Sequence, residues 1–220
     1  MPRCNPLALN TTQKHMMKIL SRLMFATFDQ LAYWAKIKKP AVSEAVKVLL
    51  RNGLVTVMDE VKPYIVQITH AGARVAGTQL PSGKTYFSWS AKTHRIYRND
   101  AEILLRRSKR GFVMQNRYFH YSLGLNPTHG EHSAVDASDH HYFCMLDDYR
   151  MQANRMKHAW NRRHSPNSDY FDDVKGFRWR DVCQSMLIFS TDADQLHQYQ
   201  HYCSGTELSA NFYYLKPRWH

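Results

Sequence analysis

Between residues 11 and 76 the apolar positions fall into an ordered succession of periods. Met16, Ile19, Leu20, Leu23 and Met24 recur at three- and four-residue steps, the one-sided spacing of an amphipathic helix, and Thr11-Thr12 stand where they can cap it. A second, short helix is predicted from about Thr27, burying Phe28, Leu31, Ala32 and Ala35. Lys36-Ile37-Lys38-Lys39 reads as a tight turn. Pro40 then opens a third helix, where proline is tolerated because first-turn N–H groups have no helical partner. This helix, residues 40–51, separates its faces: Val42, Val46, Leu49 and Leu50 on one side, and Lys39, Ser43 and Lys47, with Glu44 beside them, on the other. Asn52-Gly53 ends it, glycine supplying a left-handed conformation. Residues 54–58 read as a strand, 59–63 as a turn and 64–68 as the returning strand, after which Thr69 caps a helix through Ala71, Ala73 and Val75.

Helix, helix-turn-helix, two-stranded wing, helix is a winged-helix order. The segments "LAYWAKIKKPAVSEAVKVLLRNGLV" and "YIVQITHAGARVAG" resemble the DNA-binding domains of MarR and related winged-helix regulators, and the run from Pro40 to Ser43 is similar to the start of the recognition helix in LysR-type regulators. The likeness covers about a third of the chain. It implies a domain over residues 11–78 that binds double-stranded DNA through Lys38, Lys39, Pro40, Ala41, Ser43, Glu44 and Lys47, with Lys62 contributing from the wing. A Lys-Ser-Lys stripe beside a helix N-terminus suits phosphate and base-edge contacts. The wing tip departs from the pattern: Asp59-Glu60 would be repelled by phosphate, so the helix is expected to contribute more than the wing.

Composition strengthens this reading. A formal net charge of +12 and a pI near 9.6 point to a polyanionic partner, although a basic protein with no nucleic-acid role has the same totals. An apolar fraction of 44% argues against wholesale disorder. No apolar run approaches the roughly 18–20 residues that span a bilayer. The opening Met-Pro-Arg-Cys-Asn-Pro lacks a secretory signature, and the expected location is the cytoplasm, in association with the nucleoid. Cys4, Cys144, Cys183 and Cys203 show no C-x-x-C spacing and are expected as packed thiols rather than zinc ligands.

The remaining two-thirds, beyond a linker at 80–83, is expected to form a second domain over 84–220. Residues 84–117 are basic and aromatic, with Arg106, Arg107, Lys109 and Arg110 at the end of a short helix starting near Asn99. Such a cluster suits backbone phosphate contacts, but cations at a helix C-terminus are also favourable to its dipole. The run THGEHSAVDASDHH, 128–141, offers imidazoles and carboxylates for a metal, at a spacing that matches no defended motif; a polar loop leading into a helix capped by Ser138 is the preferred account. A long helix is predicted over 139–160. Its stripe of Tyr142, Met145, Leu146, Tyr149, Ala153, Met156 and Trp160 serves as core or dimer seam, and Asp147-Asp148 lie solvated on its flank. Residues 161–176 read as a loop, 177–190 as holding a strand, Thr191 to about Cys203 as a helix, and 210–215 as a closing strand. This part also bears a faint resemblance to plasmid replication-relaxation proteins, without their nuclease motifs.

The expected architecture is α+β: an N-terminal winged helix-turn-helix followed by a small mixed α/β domain containing a long helix. The expected function is a sequence-specific DNA-binding protein, a transcriptional regulator, acting as a homodimer without catalytic activity, cofactor or metal. The alternatives are an accessory DNA-binding protein of a mobile element, a metal-dependent nuclease using residues 129–141, and an adaptor whose winged helix makes protein contacts.

Overall fold

The computed structural model describes residues 9–60, 62–80, 88–108, 111–115, 132–147, 185–204 and 209–219. The chain divides into two compact units, Met1–Ile103 together with Arg218–His220, and Leu104–Pro217.

The first unit is a winged helix-turn-helix. Helix α1 (Thr11–Leu23) is capped by Asn10 rather than by Thr11 or Thr12. The Asn10 side chain accepts from the Gln13 N–H at 2.9 Å and the Gln13 side chain accepts from the Asn10 N–H at 3.0 Å, a reciprocal capping box. Strand β1 (Phe25–Thr27) follows and leads straight into α2 (Phe28–Ala35), where Thr27 and Gln30 form a second such box. Lys36 takes the left-handed conformation that ends α2, and α3 (Lys39–Arg51) begins with Pro40 in its first turn. Strands β2 (Val55–Met58) and β3 (Ile65–Ile68) form the wing, and α4 (His70–Val75) is capped by Thr69.

Strand β1 is the element the periodicity did not predict. It pairs antiparallel with β3, Phe25 opposite Gln67 and Thr27 opposite Ile65, giving a three-stranded sheet of order β1-β3-β2. The wing is thereby anchored to the helix-turn-helix through backbone hydrogen bonds. Met16, Leu20, Leu31, Val42, Leu49 and Val66 are fully buried in one core shared by the helices and the sheet. Leu50 does not join it. It is 45% exposed, and Ala45, at 5%, takes its expected place on the inner face, because position 45 lies about 40° from Leu49 on the helical wheel whereas position 50 lies about 100° from it.

Helix α5 (Trp89–Arg107) starts ten residues before the predicted short helix at Asn99. Within the first unit its buried face is partly polar. Asn99 Nδ2 donates to the Phe25 carbonyl at 2.8 Å, and Glu102, fully buried, receives Arg22 Nη1 at 2.7 Å with Arg98 Nη1 at 3.6 Å.

The second unit holds a five-stranded mixed sheet of order β4-β5-β6-β7-β8, made of β4 (Val113–Gln115), β5 (His132–Val135), β6 (His141–Asp147), β7 (Ser185–Ser190) and β8 (Ser209–Tyr214). β4, β5 and β6 run antiparallel to one another; β6, β7 and β8 run parallel, and α6 (Ala193–Ser204) connects β7 to β8. The strand–helix–strand predicted for the last third is therefore present. Among the described residues, the helix predicted over 139–160 is replaced by a strand: residues 141–147 form β6, while Tyr149, Ala153, Met156 and Trp160 lie outside the described residues. Tyr142, Cys144, Met145 and Leu146 are all buried, as in a strand covered on both faces, and such a run has no period that separates it from a buried helix. Ser138 caps no helix. It sits in the β5–β6 turn, where Asp136 Oδ1 accepts from the Ser138 and His140 N–H groups at 2.9 and 3.0 Å, Asp136 Oδ2 accepts from the Tyr142 hydroxyl at 2.9 Å, and Asp139 adopts positive φ.

Asp147 is buried, not solvated on a flank. The Tyr199 hydroxyl on α6 donates to its Oδ2 at 2.7 Å and Ser190 lies at 3.4 Å, so the pair fastens α6 to the ends of β6 and β7. Burial, then the hydrogen bond and charge of Asp147 and the charge of Asp192, push the Tyr199 hydroxyl well above its ordinary pKa. Cys144 and Cys203 are buried, and burial raises the Cys203 thiol; Cys4 and Cys183 lie outside the described residues.

Candidate nucleic-acid interface

The inner face of α3 fixes the outer one. With Val42, Ala45, Val46 and Leu49 turned into the core, Lys39, Pro40, Ala41, Glu44 and Lys47 are left exposed, Ser43 is half-buried, and Lys38, the N-cap residue, is exposed at the end of the turn. Lys38 makes no side-chain cap hydrogen bond. The positive end of the helix dipole at α3 therefore coincides with the two lysines that begin it.

Carboxylates already hold two of these cations. Lys39 Nζ pairs with Asp29 in the first turn of α2, and Lys47 Nζ pairs with Glu44 Oε1 at 2.7 Å. The hydrogen bond and charge of Lys47, aided by Arg51, hold the Glu44 carboxyl below its ordinary range against a small opposing effect of desolvation. All four side chains are about half exposed or more, so the pairs are weak and exchange readily for phosphate contacts. Asp29 is a participant that the sequence did not reveal. The available signal was an acidic residue at the start of α2 whose nearest exposed cation lies across the turn.

Lys62 is exposed in the β2–β3 turn, beside the exposed Asp59 and Glu60, and the Lys62–Pro63 peptide is cis. Arg106 and Arg107 are exposed in the last turn of α5 and belong to the second unit. Lys109 and Arg110 lie outside the described residues, as does His129. Among the described residues no group of three His, Cys, Asp or Glu side chains converges as a metal site, and no helix is long and apolar enough to cross a membrane.

Charge is unevenly divided along the chain. Nineteen of the thirty Lys and Arg residues, but only six of the eighteen Asp and Glu residues, fall in residues 1–110, so the entire positive excess lies in the half that contains the winged helix. The second half is close to neutral.

A scan against known protein families and a search of curated proteins find no match. Among solved structures the chain is similar to the adhesin competence repressor of Streptococcus pyogenes, at 20% identity over 46% of this chain and 65% of that one, with a TM-score of 0.29. It is similar to a MarR-family transcriptional regulator from Silicibacter pomeroyi at 19% identity over 53% of this chain and 69% of that one, with a TM-score of 0.30. A transcription regulator of the Staphylococcus aureus multidrug efflux pump gives 15% identity over 47% and 69%, with a TM-score of 0.29. The chain thus spans just under two thirds of the first of these proteins, and the similarities are partial and of low overall superposition.

Proposed function

We propose that this protein binds double-stranded DNA, as a transcriptional regulator and not as an enzyme, with α3 entering the major groove. The supporting observation is the exposed face of α3, Lys38, Lys39, Ser43, Glu44 and Lys47, presented by a helix-turn-helix in the half of the chain that carries all of the positive excess. Lysines at the open helix end suit phosphate oxygens; Ser43 and Glu44, one turn in, suit base edges, where a carboxylate can accept from cytosine N4. The wing, with Asp59 and Glu60 beside Lys62, adds little attraction. Arg106, Arg107, Lys109 and Arg110 supply further backbone contacts in this reading, and the DNA-bound protein is nucleoid-associated.

The test is fluorescence anisotropy with a labelled random-sequence duplex over a range of salt concentrations. Binding that weakens log-linearly with salt is expected, because each neutralised phosphate releases about 0.9 counterion. No duplex binding at micromolar protein and low salt overturns the proposal and favours an adaptor instead, and binding indifferent to salt contradicts the phosphate contacts assigned to the lysines. One recognition helix covers few base pairs, so we also propose that two copies occupy successive half-sites about one turn apart. Met145, a residue of the expected dimer seam, is buried in the sheet of the second unit, and Tyr149, Met156 and Trp160 lie outside the described residues. Sedimentation velocity at micromolar concentration, with and without duplex, is expected to show a dimer; a strict monomer under both conditions removes this part.

A further inference from the structure

Asp100 of α5 is held from two sides. Arg218 grips it as a fork, Nε to Oδ2 at 2.6 Å and Nη2 to Oδ1 at 2.7 Å, and Gln30 Nε2 donates to the same Oδ1 at 2.8 Å. The Arg218 N–H donates to the Tyr97 hydroxyl at 2.9 Å. Trp219 lies edge-on to Trp89 and Tyr97, with ring centroids 5.4 and 5.7 Å away, and packs on the cluster of Phe25, Ile65 and Ile96. Both members of the ion pair are mostly buried, with 20% and 17% of their side chains exposed. Burial opposes the charge of Arg218, but the hydrogen bonds and charge of Asp100, with smaller fields from Asp29 and Tyr97, more than offset it and raise its pKa. All these partners belong to the first unit, whereas the chain from Leu104 to Pro217 forms the second.

Gln30 links this grip to the helix-turn-helix. Its Oε1 accepts from the Thr27 N–H at 3.1 Å and its own N–H donates to Thr27 Oγ1 at 3.3 Å, while Nε2 also donates to the Ile96 carbonyl at 2.8 Å. One side chain therefore starts α2 and ties it to α5. The preceding residue, Asp29, holds Lys39 at the start of α3. A polar path runs from Arg218 through Asp100 and Gln30 to the first turn of α2.

We propose that Arg218 is a positioning residue for the helix-turn-helix: the segment that leaves the second unit after β8 completes the DNA-binding unit and holds α2, and through it the start of α3, in its reading orientation. This rests on the proposed DNA function. The second unit is joined to the first at two places, through α5 and through Pro217, so a change that draws on the segment after β8 acts on α2 directly. The fork on Asp100, shared with Gln30, carries the inference.

The test uses the full chain and its Arg218→Ala, Arg218→Lys and Asp100→Asn variants, by amide exchange and by anisotropy on a random duplex well below the melting temperature. Losing a charge-assisted fork is expected to speed exchange of the Gln30 amide about tenfold or more, with Leu187 and Ile188 of β7 unchanged. Duplex affinity falls about three- to tenfold, and Arg218→Lys restores part of both effects. Unchanged Gln30 exchange in a folded Arg218→Ala protein overturns the proposal. So does a uniform loss of protection over the whole first unit, the mark of a merely structural role. If Arg218→Ala does not fold, Asp100→Asn, which keeps an acceptor for Gln30, decides by the same readout. A wild-type protein that binds no duplex overturns the DNA function, while the exchange measurement still judges the positioning of α2.

Discussion

Replacing Gly72 by alanine sets two opposing effects against each other at the joint between the wing and α4. Helix propensity alone favours the change, since alanine in a helix interior is better than glycine by about 0.5–1 kcal/mol. The surroundings oppose it. A Cβ at position 72 would lie 2.1 Å from the Leu54 carbonyl oxygen, 2.9 Å from Met17 Cε and 3.0 Å from Ile68 Cγ1. The methionine end can swing aside; the backbone oxygen cannot, because it accepts the Thr69 N–H at 3.1 Å, and Thr69 Oγ1 in turn donates to the Gly53 carbonyl at 2.8 Å. Carbon–oxygen contacts ordinarily close to roughly 3.3–3.6 Å, so α4 or the start of β2 must move by about 1 Å. Overpacking of this kind costs about 1–3 kcal/mol, and weakening the Thr69–Leu54 hydrogen bond adds about 1 kcal/mol. The clash wins, with a net loss of about 2–3 kcal/mol. For a unit of this size that lowers the melting temperature by about 10 °C or more, followed by circular dichroism and tryptophan fluorescence. An unchanged or raised melting temperature would refute the close approach of α4 to Leu54.

Three further outcomes are expected. Lys47→Glu leaves the melting temperature within a few degrees, because the side chain is exposed, but weakens duplex binding at least tenfold and lowers the salt slope by about one ion; a folded variant with undiminished affinity takes this face of α3 out of the interface. Leu49→Asp places an unpaired carboxylate at a fully buried position and costs several kcal/mol, enough to unfold the first unit; a soluble variant with wild-type thermal stability contradicts the assigned inner face. Tyr199→Phe removes the 2.7 Å hydrogen bond to buried Asp147 and destabilises the second unit by about 1–3 kcal/mol in urea titration, and a neutral result means the carboxylate is satisfied without it.

What the sequence made legible follows from where each element finds its partners. The winged helix was readable because its faces are local: Val42, Val46 and Leu49 recur within one helix, and Asn52-Gly53 and Thr69 are punctuation that needs no distant partner. Asn10-x-x-Gln13 carried a capping signature of the same local kind, beside the less suitable Thr11-Thr12. Strand β1 was not readable, since three residues have no period and their partners in β3 lie some forty residues on. Helix α5 was cut short for a related reason: Asn99 and Glu102 interrupt its apolar stripe yet are fully buried, because Phe25 and Arg22 complete them from elsewhere in the fold. Strand β6 imitated a helix because both of its faces are covered, and burial on two sides erases the alternation that identifies a strand.

The same distinction separates the two parts of the candidate interface. That α3 presents Lys39, Ser43 and Lys47 together is a property of helical spacing and can be read from any list of the residues. That Lys39 faces Asp29 across the turn between α2 and α3, and that Gln30 ties α2 to Asp100 of α5, are properties of the packed fold, while Glu44 pairs with Lys47 three residues on along α3 itself. They change what the helix does electrostatically. A stripe counted as two free cations becomes two exposed ion pairs of little intrinsic worth, so the attraction for phosphate resides in the positive excess of the whole first half of the chain. Contacts made by α3 itself add discrimination to that attraction. On this argument, charge removal elsewhere in residues 1–110 lowers the affinity and the salt slope for every duplex without altering which duplex is preferred, whereas charge reversal at Lys47 lowers affinity and salt slope and alters the preference as well.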